Sequence, residues 1–376
     1  MTPQTIRITA DETPRRGRAL KTGIAVVVAL LLGAGAALAA VLAEGQRTTA
    51  TAAAAGPAPE LRLGYFGNVT HAPALVGVQN GLIADALRDA GTETLSTQVF
   101  NAGPAAIEAL NAGAIDAAYL GPNPAINSFV KSGGESLAVV AGAAAGGAQL
   151  VVRPGIASPE QLRGTVLATP QLGGTQDVAL RAYLGRHGLA TEPGGGGDVT
   201  INPTENAQTF KLFQDGKLDG AWLPEPWASR LVLQAGAKVL VDEKDLWDGR
   251  LTGKPGQFPT TVLVVSRTFA ADHPQTVEAL VKGHAGSVAW LNQASEPEKA
   301  NAINAALKAS SGAELPAGVI KRALGNITFT TDPLPGAFPQ LLADGVAAGV
   351  TKEADLTGLF DLRWLEDLHR LEEASR

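Results

Sequence analysis

Ala112-Gly113-Ala114-Ile115-Asp116-Ala117-Ala118-Tyr119-Leu120-Gly121-Pro122 is nearly written again as Asp215-Gly216-Lys217-Leu218-Asp219-Gly220-Ala221-Trp222-Leu223-Pro224-Glu225-Pro226. In both copies a helical stretch stops at a glycine, the residue that adopts the left-handed conformation of a helix end at least cost. An apolar strand follows, entered through Asp116 or Asp219 and carrying an aromatic near its end. A proline turn then opens another helix. The approach to each copy also matches. Val99-Phe100-Asn101-Ala102-Gly103-Pro104 leads into the first and Ile201-Asn202-Pro203-Thr204-Glu205-Asn206 into the second. Farther upstream, Leu61–Tyr65 runs into Gly67-Asn68-Val69-Thr70-His71, and Thr165–Ala168 into Gln171-Leu172-Gly173-Gly174-Thr175. Order and spacing agree at three places, so the chain reads as two similar α/β lobes. Lobes of this kind face each other across a cleft, where open α/β sheets bind ligands.

The rest of the chain fits this plan. Strands and helices alternate, which predicts mostly parallel sheets. Gly103-Pro104 opens a helix to Asn111, with proline where a missing N–H costs nothing. Ser158-Pro159-Glu160-Gln161 has the pattern of a capping box. A helix is expected from Thr175 to Arg186 or His187, and Glu192 to Asp198 is a glycine-rich surface loop. Gln149–Val152 and Thr260–Val265 read as the two crossings between lobes. Helices are then expected from His273 to Asn292, Glu296 to Ala309, Pro316 to Leu324 and Phe338 to Val350, with a closing amphipathic helix over Asp355–Arg370.

The N-terminus is of another kind. Residues 1–21 are basic, and 22–43 contain no charged residue. That is a positively flanked export signal or an uncleaved membrane anchor, which places the working part outside the cytoplasmic membrane. Residues 44–59 form a flexible Thr/Ala/Gly/Pro linker. The lobes are then assigned as 60–150 for the first, 151–259 for the second, and 260–376 for the helical return to the first. The whole chain of 376 residues has a net charge of −6, and its acidic body argues against nucleic acid as a partner. Without cysteine it can form neither a disulfide nor a lipid thioether. A monomer is expected.

Helix N-termini offer unpaired N–H groups and a partial positive charge, and so can hold anionic oxygens without Lys or Arg. Candidate ligand residues are therefore Tyr65, Asn68, His71, Gly121 and Asn123 in the first lobe. In the second they are Leu172, Gly173, Gly174, Thr175, Gln176, Trp222 and Glu225. Trp222, at the end of a strand, is placed at the cleft as a wall for the carbon part of a ligand. Glu225 could meet a ligand ammonium or pair with Arg230. His71 could serve as an acid–base group, or simply cap a turn. The sequence has no zinc-ligand spacing, nucleophile elbow, phosphate loop or dinucleotide fingerprint, so no cofactor is expected.

Phe100-Asn101-Ala102-Gly103-Pro104, Ala168-Thr169-Pro170-Gln171-Leu172-Gly173 and Asp219-Gly220-Ala221-Trp222-Leu223-Pro224-Glu225-Pro226-Trp227 resemble the nitrate/sulfonate/taurine group of ABC-transporter substrate-binding proteins. The resemblance implies a two-lobed type II periplasmic-binding-protein fold with two crossover strands. It also implies a small anionic or zwitterionic solute gripped between the lobes, most readily an aliphatic sulfonate or taurine and alternatively nitrate. Delivery would be to a membrane permease with its ATPase. Gly174 departs from the amide residue often found there, which removes one side-chain donor. Two other readings share the fold: a menaquinone-pathway-like enzyme with His71 as base, and a membrane-anchored ligand sensor.

Overall fold

A computed structural model describes residues 56–312 and 314–374; the basic segment and residues 22–43 lie outside them. Among the described residues no helix is long and apolar enough to cross a membrane.

The repeated segment builds the same unit twice. Gly113 and Gly216, both at positive φ, close the helices Gly103–Asn111 and Asn206–Gln214. Strand β3 (Ala117–Leu120) follows the first and β8 (Gly220–Pro224) the second. The repeated aspartates do the same work in each lobe. Asp116 Oδ2 accepts from the Arg62 backbone N–H at 2.9 Å, and Asp219 Oδ2 from that of Val166 at 2.8 Å. Each Asp N–H in turn donates to the carbonyl of that same residue at 2.8 Å. A carboxylate thus ties the start of one parallel strand to its neighbour with charge-assisted bonds, the stronger kind of hydrogen bond. The repeat therefore records a duplicated strand register.

The first lobe's sheet takes β1 (Glu60–Phe66), β2 (Thr94–Phe100), β4 (Leu137–Gly146), β10 (Pro259–Ser266) and β11 (Ile327–Phe329) around β3, in the order β11-β4-β10-β3-β1-β2. The second lobe's sheet has the order β7-β6-β8-β5-β9, with β5 (Ala148–Val152), β6 (Val166–Thr169), β7 (Thr200–Pro203) and β9 (Lys238–Asp242). Helices cover both faces, and each sheet has a hydrophobic cluster on either side.

The sheets are mixed rather than mostly parallel. Strands β1, β2 and β3 pair in parallel, as do β6, β7 and β8. Strands β4, β5 and β10 pair antiparallel to their neighbours: β10 and β5 run against the repeated units of their sheets, and β4, antiparallel to β10, runs with them. The crossings themselves are shorter than the sequence suggests. One is the pair Gly146–Gly147, both at positive φ, between β4 and β5. The other is at Phe258–Pro259. The two segments lie side by side, with Gly146 N–H donating to the Phe258 carbonyl at 3.0 Å. Gln149–Val152 is accordingly wholly in the second sheet and Thr260–Val265 wholly in the first.

Three further elements differ from expectation. The Ser158 box opens only a 3-10 turn, Pro159–Leu162, because Gly164 at φ 78° turns the chain straight into β6. The helix from Phe338 ends at Ala347, before Gly349 at positive φ. The closing helix begins at Arg363 rather than Asp355; the residues before it lie along β4, where Val139 and Phe360 form a bridge. The remaining late helices, Pro274–Gln293, Glu296–Ser311 and Ala317–Leu324, fall where the periodicity puts them.

Candidate functional site

Four helices begin on the wall of one small cavity between the lobes. Gly103–Asn111 and Pro122–Lys131 come from the first lobe, and Thr175–Arg186 and Asn206–Gln214 from the second. Their N-caps are Ala102, Gly121, Gly174 and Glu205, and none makes a side-chain cap hydrogen bond. Helices are normally capped by Ser, Thr, Asp or Asn, which use up these N–H groups. Here the groups are left for something else. The cavity has a volume of about 30 Å³, and no Lys or Arg is among the residues lining it.

Six of the sequence candidates meet there: Asn68, His71 and Gly121 from the first lobe, and Gly174, Thr175 and Gln176 from the second. Gly121 and Thr175 face each other closely across the cleft. A Cβ on Gly121 would sit 2.2 Å from Thr175 Oγ1, so the glycine is required by the opposing lobe and not by its own backbone. Thr175 Oγ1 is buried without a hydrogen-bond partner, as is Asn206 Oδ1. An unpartnered buried polar atom costs about 1–3 kcal/mol, and both atoms line this cavity. Asn101, Asn206 and Thr260 also line it. The signal for Asn206 was available: it occupies in the second copy the place that Gly103 has in the first.

His71 is buried and stacked on Phe66 with ring centroids 4.2 Å apart. Burial pushes its pKa down to about 3, so the ring is neutral. Its Nδ1 accepts from the Phe66 N–H at 3.3 Å, which leaves the ring proton on Nε2. The imidazole is arranged to donate a hydrogen bond and is a poor base.

The other six candidates lie off the cavity. Tyr65 is part of the first lobe's core. Asn123 turns away, its Nδ2 donating to the Leu341 carbonyl at 3.0 Å. Leu172 is exposed, and Gly173 serves the turn, its N–H donating to Asp177 Oδ2 at 3.0 Å. Trp222 is fully buried in the second lobe's core, edge-on to Tyr183, and its Nε1–H donates to Glu243 Oε2 at 2.8 Å. Strand alternation turns it inward, because β8 is a central strand. Burial raises Glu243 to about 8, so this acceptor is largely a neutral carboxyl at pH 7. Trp222→Phe is expected to cost about 1–3 kcal/mol of stability by stranding that carboxyl while leaving solute affinity unchanged. Urea denaturation and calorimetry on the same sample check it.

Glu225 does not pair with Arg230. It accepts from Arg322 Nη1 at 3.1 Å, Asn326 Nδ2 at 2.7 Å and the Ser229 N–H at 3.0 Å. Burial nevertheless raises its pKa, outweighing these bonds. Arg322 also donates to Gln149 Oε1 at 2.7 Å and Ser229 Oγ at 2.8 Å. The cluster thus joins the second lobe to the helix Ala317–Leu324 behind the hinge. Arg230 instead stacks on Phe210 and Trp227.

Two more bonds span the cleft near its mouth: Asn101 Nδ2 to Glu205 Oε1 at 2.7 Å, and Trp227 Nε1 to Asn68 Oδ1 at 2.9 Å. Arg186 and Asp344, 2.5 Å apart, close the opposite side, beside a second cavity of about 530 Å³. That space lacks the converging helix ends. Among the described residues no group of three His, Cys, Asp or Glu is placed to hold a metal ion.

Two α/β lobes, two short crossings and a polar cavity between them define the type II periplasmic-binding-protein architecture. Over residues 54–307 the chain matches the NMT1-like family, and it belongs to that family. It is 27% identical over 190 residues to the taurine-binding periplasmic protein of Escherichia coli (strain K12), covering 50% of this chain and 55% of that protein. The chain thus spans about half the length of this curated relative. Among solved structures it is similar to the alkanesulfonate-binding protein of Xanthomonas axonopodis pv. citri bound to MOPS. The TM-score is 0.63 at 22% identity, over 80% of this chain and 96% of that one. It is also similar to the periplasmic nitrate-binding protein of Synechocystis PCC 6803. There the TM-score is 0.68 at 15% identity, over 85% and 90% of the two chains.

Proposed function

We propose that this protein is the extracytoplasmic solute-binding component of an ABC importer and that it captures a small oxyanion of the sulfonate class between its lobes. The observation that carries the reading is the convergence of four uncapped helix N-termini, two from each lobe, on one interlobe cavity. Each contributes the partial positive charge of a helix start, and the helices beginning at Gly103, Thr175 and Asn206 add free N–H groups, which Pro122 and Pro124 cannot. Thr175 and His71 add neutral donors. Such a set stabilises a spread negative charge without a counter-cation that would have to lose its water on binding. Family membership implies a permease and ATPase as partners, and residues 22–43 would deliver the binding lobes to the outer side of the membrane. The enzyme reading loses its base, because His71 is poorly suited to take up a proton.

The test is a thermal-shift and calorimetric panel of methanesulfonate, taurine, nitrate and sulfate. A ligand that binds only the folded form stabilises it by about 2.7 kcal/mol at a hundred times its Kd. A sulfonate should therefore raise the melting temperature and be recovered chemically unchanged. No response to any oxyanion would end this reading.

A further inference from the structure

We propose that the solute carries an aromatic substituent on its oxyanion head, and that the substituent lies in the interlobe groove adjoining the inner cavity. The inference rests on the oxyanion reading and narrows it to a substrate class. The inner cavity is small, about 30 Å³, enough to admit a water-sized group. Only a compact head belongs there, so any carbon body must extend beyond it. The inner cavity and a groove of about 320 Å³ share Asn68, Asn101 and Asn206, and the groove's size is that of a pocket for a small organic molecule.

The groove is built differently from the cavity. Phe100 and Trp227 face it together with the aliphatic side chains of Val99, Leu307 and Leu315. Val99 is 39% exposed there. The Trp227 indole is fixed from both lobes. Its Nε1–H donates to Asn68 Oδ1 at 2.9 Å, and the Arg230 guanidinium stacks 4.5 Å from its ring centre. A rigid aromatic wall of this kind favours a flat partner over a flexible chain. Asn206 supplies the independent sign of a ligand: its side-chain oxygen is buried, without a partner, at the junction of the two spaces. Its amide can present either end to a group passing from one to the other.

Titration calorimetry with methanesulfonate and benzenesulfonate tests this. Benzenesulfonate is expected to bind at least about tenfold more tightly, since about 60 Å² of extra apolar burial is enough for one decade. Ala207 is exposed and lines the groove but not the inner cavity. Ala207→Trp should therefore erase the preference while methanesulfonate binds as before. Val99→Asp, on the groove's opposite wall, should weaken benzenesulfonate alone. If the parent binds both sulfonates equally, or if both variants keep the preference, the aromatic assignment is wrong and the oxyanion reading stands. If neither sulfonate binds, the oxyanion reading itself falls, and this proposal with it.

Discussion

Gly121→Val is expected to fold normally and yet to lose at least about a hundredfold in solute affinity, or about 2.7 kcal/mol. The backbone gives no reason for a glycine here: φ is −71° and ψ 155°, extended values that any residue adopts. The reason is the other lobe. An added Cβ would meet Thr175 Oγ1 at 2.2 Å, Thr175 Cβ at 3.2 Å and the Thr260 carbonyl at 3.7 Å. Valine would therefore act as a wedge between two lobes that each keep their own core. The converging helix ends could no longer reach the same oxyanion, so binding would fall without a matching loss of stability. Thr175→Ala alone removes one donor to a charged ligand, about 1.5–3 kcal/mol. Because the two residues touch, their effects should not add. Gly121→Ala with Thr175→Ala is expected to bind no worse than Thr175→Ala by itself. Melting curves and calorimetry on the set decide it, and a Gly121→Val protein with parental affinity would show that the lobes do not close at this contact.

The repeat was legible because it encodes backbone register. Asp116 and Asp219 each tie two strands together, and Gly113 and Gly216 each stop a helix, so matching letters imply matching hydrogen bonds. The site was half legible for a related reason. Turns that open helices can be read from Gly, Pro and Asn, and such turns brought Gly121, Gly174 and Thr175 to the cavity. Side-chain direction could not be read in this way. Trp222 and Trp227 flank one proline turn, and the sequence offered no period long enough to say which faces solvent. The structure turns Trp222 inward from a central strand, whereas Trp227, at the first position of a helix, reaches across to Asn68. Glu225 was equally unreadable, since its partners Arg322 and Asn326 lie about a hundred residues away in the other lobe. The antiparallel strands escaped for another reason: a crossing of two glycines leaves no mark of strand direction in the sequence.

Asp177→Ala is expected to cost about 3–5 kcal/mol of stability, a large part of the 5–15 kcal/mol typical of a folded domain. Its carboxylate is fully buried and accepts three bonds: from Thr169 Oγ1 at 2.9 Å, from the Gly173 N–H at 3.0 Å and from Arg181 Nε at 3.0 Å. The Arg181 side chain is also buried, at 1% exposure, so removing the acid strands a charge that cannot reach water. A second consequence concerns the site. Gly173 sits at φ 74°, and its bond to Asp177 pins the turn that presents the first N–H groups of the helix Thr175–Arg186. The two roles can be separated. In Asp177→Leu combined with Arg181→Met, an apolar pair replaces the ion pair, a change that is often neutral or stabilising. That double variant should recover most of the stability while binding sulfonate at least about tenfold more weakly, because the Gly173 N–H then has no carboxylate to hold it and only the Gly174–Gln171 backbone bond closes the turn. Urea denaturation reads the first role and calorimetry the second. Parental affinity in the double variant would mean that the turn holds its shape without the carboxylate, and that Asp177 serves only to neutralise Arg181.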